Sequence, residues 1–279
     1  MKKILSYILA IMTAIGFSAC NNGSNHNNGN AKAQNGNLLS LETDSFRITW
    51  IKDNPGDKLM PRSLFPEAPD SLIAALGLQN GIPSTVSVFL LETDSLKILF
   101  DTGLGGNIGT MQTGLDSLGI APSDITHIYL THFHGDHIGG MMDGDNTVFA
   151  NAEVYASKAE YEAWSAMDST ENTMQMRTMQ AYENRLHLFR FGDTLPGKVK
   201  TIDTSGHTPG HTAYLCGKVI VIADLMHGAA LQARYPEYSS NYDMDKDMAA
   251  QSRKRILQYA ADNGLTMAGM HLPAPAFMK

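Results

Sequence analysis

Thr131-His132-Phe133-His134-Gly135-Asp136-His137 packs three imidazoles and a carboxylate into one short run, spaced H-x-H-x-D-H. Neutral imidazole and carboxylate are the donors that zinc and similar divalent ions prefer. Alternation along an extended segment puts His132 and His134 on one side. A turn after them swings Asp136 and His137 toward a neighbouring point. One loop can therefore hold part of one metal site and begin a second. A chain that uses this run must deliver it from a strand end and bring further ligands from elsewhere. The apolar stretch Ile125 to Leu130 is the delivering strand.

Three later positions supply what is missing. Ser205-Gly206-His207-Thr208-Pro209-Gly210-His211 follows a strand that ends near Ile202, and its glycines and proline fix a tight loop from which His207 reaches in. Asp224 closes the apolar run Val219 to Ala223, where a carboxylate is costly unless something compensates its charge. His271 closes Met267 to Met270 in the same way. His132, His134 and His207 suit one metal. Asp136, His137 and His271 suit the other, and Asp224 can bridge them. Each ion then keeps an open position, which separates catalytic from structural sites.

These pieces, with Leu99-Phe100-Asp101-Thr102-Gly103, resemble a metallo-β-lactamase-fold hydrolase from about Phe46 to Pro273. That resemblance implies an α/β fold, a four-layer αβ/βα sandwich with a binuclear metal site at the sheet edge. Pro61 to Pro66, Met226-His227-Gly228-Ala229-Ala230 and Ala268 to Pro275 are similar to methyl parathion hydrolase-like enzymes and their lactonase relatives. The subgroup implies the same seven ligands and two divalent ions, zinc first among the choices. It also implies a metal-bridging hydroxide that attacks a lactone or ester, with a phosphotriester as the alternative substrate. Asp136 orients the hydroxide and carries a proton. Zinc β-lactamases commonly have Cys or no bridging ligand where Asp224 stands, which argues against that activity. A non-catalytic metal-bound surface module is the contrasting class. The seven ligands argue against it, because a structural ion needs only four.

The N-terminus reads as an export signal. Lys2 and Lys3 precede an apolar stretch from Ile4 to Ile15, and Phe17-Ser18-Ala19-Cys20 looks like a lipoprotein cleavage site. The expected organisation is a signal over 1–19, an Asn/Gly-rich tether over 20–37, and one hydrolase domain over 38–279. The tether composition buries too little apolar surface to offset chain entropy. The domain has ample material for a core, at 43% apolar residues overall. The net charge of −7 argues against nucleic acid as a partner. The expected partners are a small-molecule substrate and, through lipid on Cys20, a membrane of the bacterial cell envelope. With Cys20 lipidated, Cys216 is the one remaining thiol, which excludes an internal disulfide; its apolar setting reads as core.

Phe46 to Ile51, Thr85 to Leu91, Leu96 to Phe100, Thr147 to Phe149, Glu153 to Tyr155, Val199 to Ile202, Ala213 to Cys216, Val219 to Ile222 and Thr266 to Met270 read as strands. Ser157 caps a helix over Lys158 to Met167, Glu171 to Leu186 forms another, and Asp245 caps a third that ends before Gly264. Met248, Ser252, Ile256 and Ala260 share one face of the third. Asp101, at a strand end, reads as an orienting group and not a ligand. His211 reads as a loop-stabilising residue, and His127 as a packed or surface histidine. His227, near a position where lactonase relatives have a substrate-contacting Tyr, is a second catalytic candidate. Relatives continue past the last histidine with further strand residues, so the sheet edge after His271 is expected to lack its final hairpin.

Overall fold

The structure, a computed structural model, describes residues 31–43 and 45–279. The signal segment and Cys20 lie outside the described residues. Eight strands form the first sheet in sequence order: β1 (Ala31–Asn35), β2 (Leu38–Glu42), β3 (Arg47–Lys52), β4 (Ser87–Glu92), β5 (Lys97–Phe100), β6 (His127–Tyr129), β7 (Glu153–Ser157) and β8 (Leu186–Phe189). Neighbours are antiparallel up to the β4–β5 hairpin and parallel from β5 to β8. The second sheet has six strands, again in order: β9 (Thr194–Leu195), β10 (Val199–Asp203), β11 (Thr212–Cys216), β12 (Val219–Val221), β13 (Thr266–Ala268) and β14 (Phe277–Met278). Only β12 and β13 run parallel.

Period-two alternation assigns each face its own core. In β4, Phe89 and Leu91 join the core between the sheets, with Phe100, Tyr129, Tyr214 and Val221. Val88 and Leu90 face the other way and pack on helices α1 (Met111–Ser117), α2 (Lys158–Ser165) and α3 (Thr173–Ala181) through Met111, Leu115, Trp164 and Met179. Helix α4 (Lys246–Asn263) covers the second sheet with Ile256 and Ala260. The result is the expected helix–sheet–sheet–helix layering. Cys216 is buried in the central core, as expected.

Local signals hold well. Ser157 Oγ accepts from Glu160 N, and Asp245 Oδ1 accepts from Met248 N. Gly264 ends α4 at φ 59°, the left-handed conformation that suits glycine. Four expectations need correction. Residues 31–35, assigned to the tether, form β1; a two-residue Gly36-Asn37 connection pairs them with β2, so hairpin chemistry prevails over polar composition. The helix expected over Glu171 to Leu186 is confined to Thr173–Ala181, and Leu186 opens β8. Met248 is exposed, and the buried face of α4 begins at Ala249. The chain after His271 does not leave β13 bare: Ala268 and Met267 pair with Phe277 and Met278 of β14. Among the described residues no helix is long and apolar enough to cross a membrane.

Candidate metal centre

Each sequence-predicted ligand stands just past the C-terminal end of a strand, all on one edge of the sandwich. The end of β6 leads into the H-x-H-x-D-H run, whose single helical turn Gly135–Ile138 swings Asp136 and His137 inward. Residues after β10, β12 and β13 carry His207, Asp224 and His271. The sheets are tied together beside the site by Thr212 N donating to Thr131 O (3.0 Å) and Tyr214 Oη donating to Leu130 O (2.6 Å). Asp101 and Ala223 adopt φ of 61° and 48°. Left-handed backbone costs a non-glycine residue roughly 1–2 kcal/mol. At both strand ends that turn aims a carboxylate, Asp101 or Asp224, into the site.

The structure brings all seven proposed ligands together. His134 Nδ1 lies 3.0 Å from His132 Nε2 and 2.9 Å from His207 Nε2. A tetrahedral ion with ordinary Zn–N bonds spaces its nitrogens about 3.3 Å apart, close to this arrangement. His271 Nε2 stands 3.3 Å from Asp136 Oδ2, and His137 Nε2 stands 3.7 Å from Asp136 Oδ1. Asp224 lies between the two sets: Oδ1 is 3.1 Å from His137 Nε2, while Oδ2 is 3.0 Å from His271 Nε2 and 3.4 Å from His207 Nε2.

The outward nitrogens of four of the five proposed ligand imidazoles are held as metal binding requires. His132 Nδ1 meets Thr131 Oγ1 at 3.0 Å, and that hydroxyl donates to Asp101 Oδ2 at 2.7 Å. His137 Nδ1 donates to Asp101 Oδ2 (2.7 Å), His207 Nδ1 to Asp243 Oδ1 (3.0 Å) and His271 Nδ1 to Thr85 O (2.8 Å). Asp101 thus orients ligands, as its strand-end position suggested. His211 is a strut: Thr204 Oγ1 meets its Nδ1 at 2.8 Å, and its Nε2 accepts from Asp224 N at 3.1 Å.

Buried atoms of the same centre lack well-formed hydrogen bonds. Among the described residues, His137 Nε2 and Asp224 Oδ1, in contact at 3.1 Å, and His227 Nδ1 are buried side-chain atoms that make no well-aligned hydrogen bond. Such atoms are unfavourable unless another group serves them. The first two face the proposed second site and bridge, so divalent cations fit the donor set.

His227 differs from the ligands. Its Nε2 is 3.1 Å from Asp224 Oδ2, and its ring stacks on His271 at 5.0 Å. A carboxylate only accepts, so a hydrogen bond at this contact would need the proton on Nε2. Its outward nitrogen has no partner, unlike those of His132, His137, His207 and His271. His207, Asp224 and His227 are also close enough to one another to hold an ion.

Charge divides the two halves. Burial, with His137 and His134 nearby, drives His132 well below the usual histidine range. Burial beside His207 lowers His134 to about 3. These imidazoles are neutral and ready for a metal at pH 7. In the other half, burial opposes charge, but Asp224 overcomes it at both histidines, joined by Asp101 at His137 and Asp136 at His271. His137 rises well above its usual range and His271 to about 9. Groups with pKa values raised above 7 hold protons there, and a metal must displace them. Metal uptake at pH 7 is therefore expected to release protons, and affinity to weaken as pH falls. Calorimetry in two buffers of different ionisation enthalpy checks this; uptake with identical heats would contradict it.

The sequence reading missed several supports. Asp243 holds His207 and is held in turn by Arg253, which is fully buried: its NH2 group lies 3.2 Å from Asp243 Oδ2 and its Nε donates to Leu225 O at 2.7 Å. Asp53 accepts from Leu104 N (2.6 Å) and Met111 N (2.7 Å), pinning the chain beyond Asp101. An arginine on the buried face of α4 was the available signal for the first pair. His127 instead stacks on Tyr155 (5.8 Å), outside the centre.

The family model for the metallo-beta-lactamase superfamily matches residues 81–271, a span that includes all seven ligand positions. The chain belongs to this superfamily. An N-acyl homoserine lactonase from Bacillus sp. is 28% identical over 198 residues, 60% of this chain and 73% of the relative. The crystal structure of the hydrolase AbOPH, in the beta lactamase superfamily, is similar at 27% identity and a TM-score of 0.77, covering 88% of this chain and 93% of that one. AidC, a dizinc quorum-quenching lactonase solved with the product N-hexanoyl-L-homoserine, is 25% identical with a TM-score of 0.77, over 86% and 92% of the two chains. The superfamily assignment and these relatives identify the chain as a metallohydrolase.

Proposed function

We propose that this metallohydrolase is a binuclear zinc enzyme that hydrolyses a lactone or ester. The observation that carries this reading is the convergence of five imidazoles and two carboxylates at one sheet edge, with the relatives pointing to lactones. Two metals in such a site supply a water of lowered pKa and polarise the carbonyl it attacks. The remaining roles fall to the chain. Asp136 is the ligand carboxylate that reaches solvent, its side chain 28% exposed against 2% for Asp224. It is therefore placed to orient the water and pass a proton to the leaving oxygen. His227 Nε2 faces the centre, 3.1 Å from Asp224 Oδ2, on a fully buried ring whose neighbour Tyr242, at 5.4 Å, is half exposed at the surface. That geometry suits a donor to the oxygen that gains charge.

A panel of lactones, esters and phosphotriesters tests the substrate class. Turnover of lactones or esters well above phosphotriesters is expected; the reverse order would transfer the reading to phosphotriester hydrolysis. His227→Ala should keep its metals and lose about 10²–10³ in kcat, the cost of an oxyanion donor. The loss should appear equally in kcat/KM, because the interaction belongs to the transition state. Normal metal content with unchanged kcat would reduce His227 to a pocket wall.

We also propose lipid attachment at Cys20 and a cell-envelope location, on the Lys2–Cys20 sequence pattern. Mass spectrometry of protein from its native cells should find acylated Cys20 at the N-terminus, and Cys20→Ser should abolish it. An unmodified Cys20 would end this reading.

A further inference from the structure

Ser157-Lys158-Ala159-Glu160 has the S-x-x-E form of a capping box, in which the glutamate ordinarily returns to the backbone N–H of the cap. Here half of that pattern is used. Ser157 Oγ accepts from Glu160 N at 3.0 Å, but the glutamate side chain turns into the protein and is buried. Oε1 accepts from Phe133 N (2.9 Å) and Trp164 Nε1 (2.7 Å). Oε2 accepts from Thr208 Oγ1 (2.8 Å) and Gly210 N (2.8 Å). Four donors fill the acceptor positions of one carboxylate.

These donors share a location. Phe133 sits between His132 and His134. Thr208 and Gly210 belong to the loop that carries His207. The Trp164 ring stands edge-on to His134 at 5.9 Å. The loop also meets the start of α2 without a side chain between them: a Cβ on Gly210 would lie 2.0 Å from Glu160 N. One carboxylate thus joins the segments bearing all three imidazoles of the first site. None of these four hydrogen bonds goes to Asp136, His137 or His271.

We propose that Glu160 is the positioning residue of the first metal site. It sets the separation between the His132–His134 turn and the His207 loop, and through it the affinity of that site, without touching the reacting atoms. The inference rests on the binuclear reading above.

Glu160→Gln tests it at nearly constant volume. One end of the carboxamide donates, so the backbone N–H of either Phe133 or Gly210 loses its acceptor. Metal-free full-length protein is titrated with Zn²⁺ against a chelator and with Co²⁺ by absorption, beside His134→Ala and Asp136→Ala as markers of the first and second sites. First-site affinity should fall about 10–100-fold, as for other groups that orient ligands, while the second site holds its affinity. Hydrolysis of an activated aryl ester should return when metal is raised to saturation, because the residue acts only through the metal. If Glu160→Gln does not fold, Thr208→Val decides: it removes one donor to Oε2 and should weaken the same site to a smaller degree. Unchanged first-site affinity, equal loss at both sites, or low kcat with both sites filled would overturn the proposal. Absence of turnover by the wild-type protein on every substrate would instead defeat the hydrolase reading, and the metal titrations would still decide the role of Glu160.

Discussion

Asp224→Ala strips metal from both halves of the centre. Its carboxylate reaches imidazoles of both sets, and burial opposes its charge until His137 and His271 hold its pKa well below the usual carboxylate range. Alanine removes the one group that faces both sites and leaves Asp136 as the only carboxylate among the five imidazoles. The expected loss of affinity exceeds the about 10–100-fold typical of an orienting partner, and hydrolysis falls with it. Chelator competition and metal analysis after gel filtration measure the effect. A variant that retained both metals and full activity would remove the bridge from the account.

Asp136→Asn separates chemistry from assembly in the second half. The substitution keeps the volume but removes a negative donor beside His271 and His137, and with it a proton carrier. Second-site metal is expected to be lost while the His132–His134–His207 set stays filled. Loss of acid–base help alone is worth about 10²–10⁴ in rate, so kcat should fall at least that far even when metal is supplied in excess. Stepwise metal titration and steady-state kinetics on the best lactone or ester report the two losses separately. Full second-site occupancy with normal kcat would show that Asp136 is neither ligand nor proton carrier.

The converging positions were legible because imidazole and carboxylate have few stable uses at the end of an apolar strand. Asp224 after Val219–Ala223 and His271 after Met267–Met270 stand out for that reason. Asp101 was readable on the same ground. The layered fold was implied by the family resemblance, and the structure shows its physical basis in strands apolar on both faces, such as β4 with Val88 and Leu90 on one side and Phe89 and Leu91 on the other. The supports were harder to see because their partners are distant in sequence. Asp243 lies in a polar stretch that reads as loop and meets His207 only after folding. Glu160 carries a cap pattern that its own backbone N–H satisfies, and nothing local reveals that the carboxylate faces inward. The β1–β2 pairing was masked by an Asn/Gly-rich composition, although Gly36-Asn37 is itself a hairpin signal.

Metal stoichiometry coupled to turnover tests the binuclear centre most directly. Full-length protein is cleared of metal by chelation, reloaded with Zn²⁺ in steps, and followed by elemental analysis and by hydrolysis of a lactone that the intact enzyme turns over. The account predicts about two ions per chain, no hydrolysis without metal, and recovery that is complete only when the second ion is bound. Hydrolysis that persists in metal-free protein, or full activity with a single ion per chain, would contradict it.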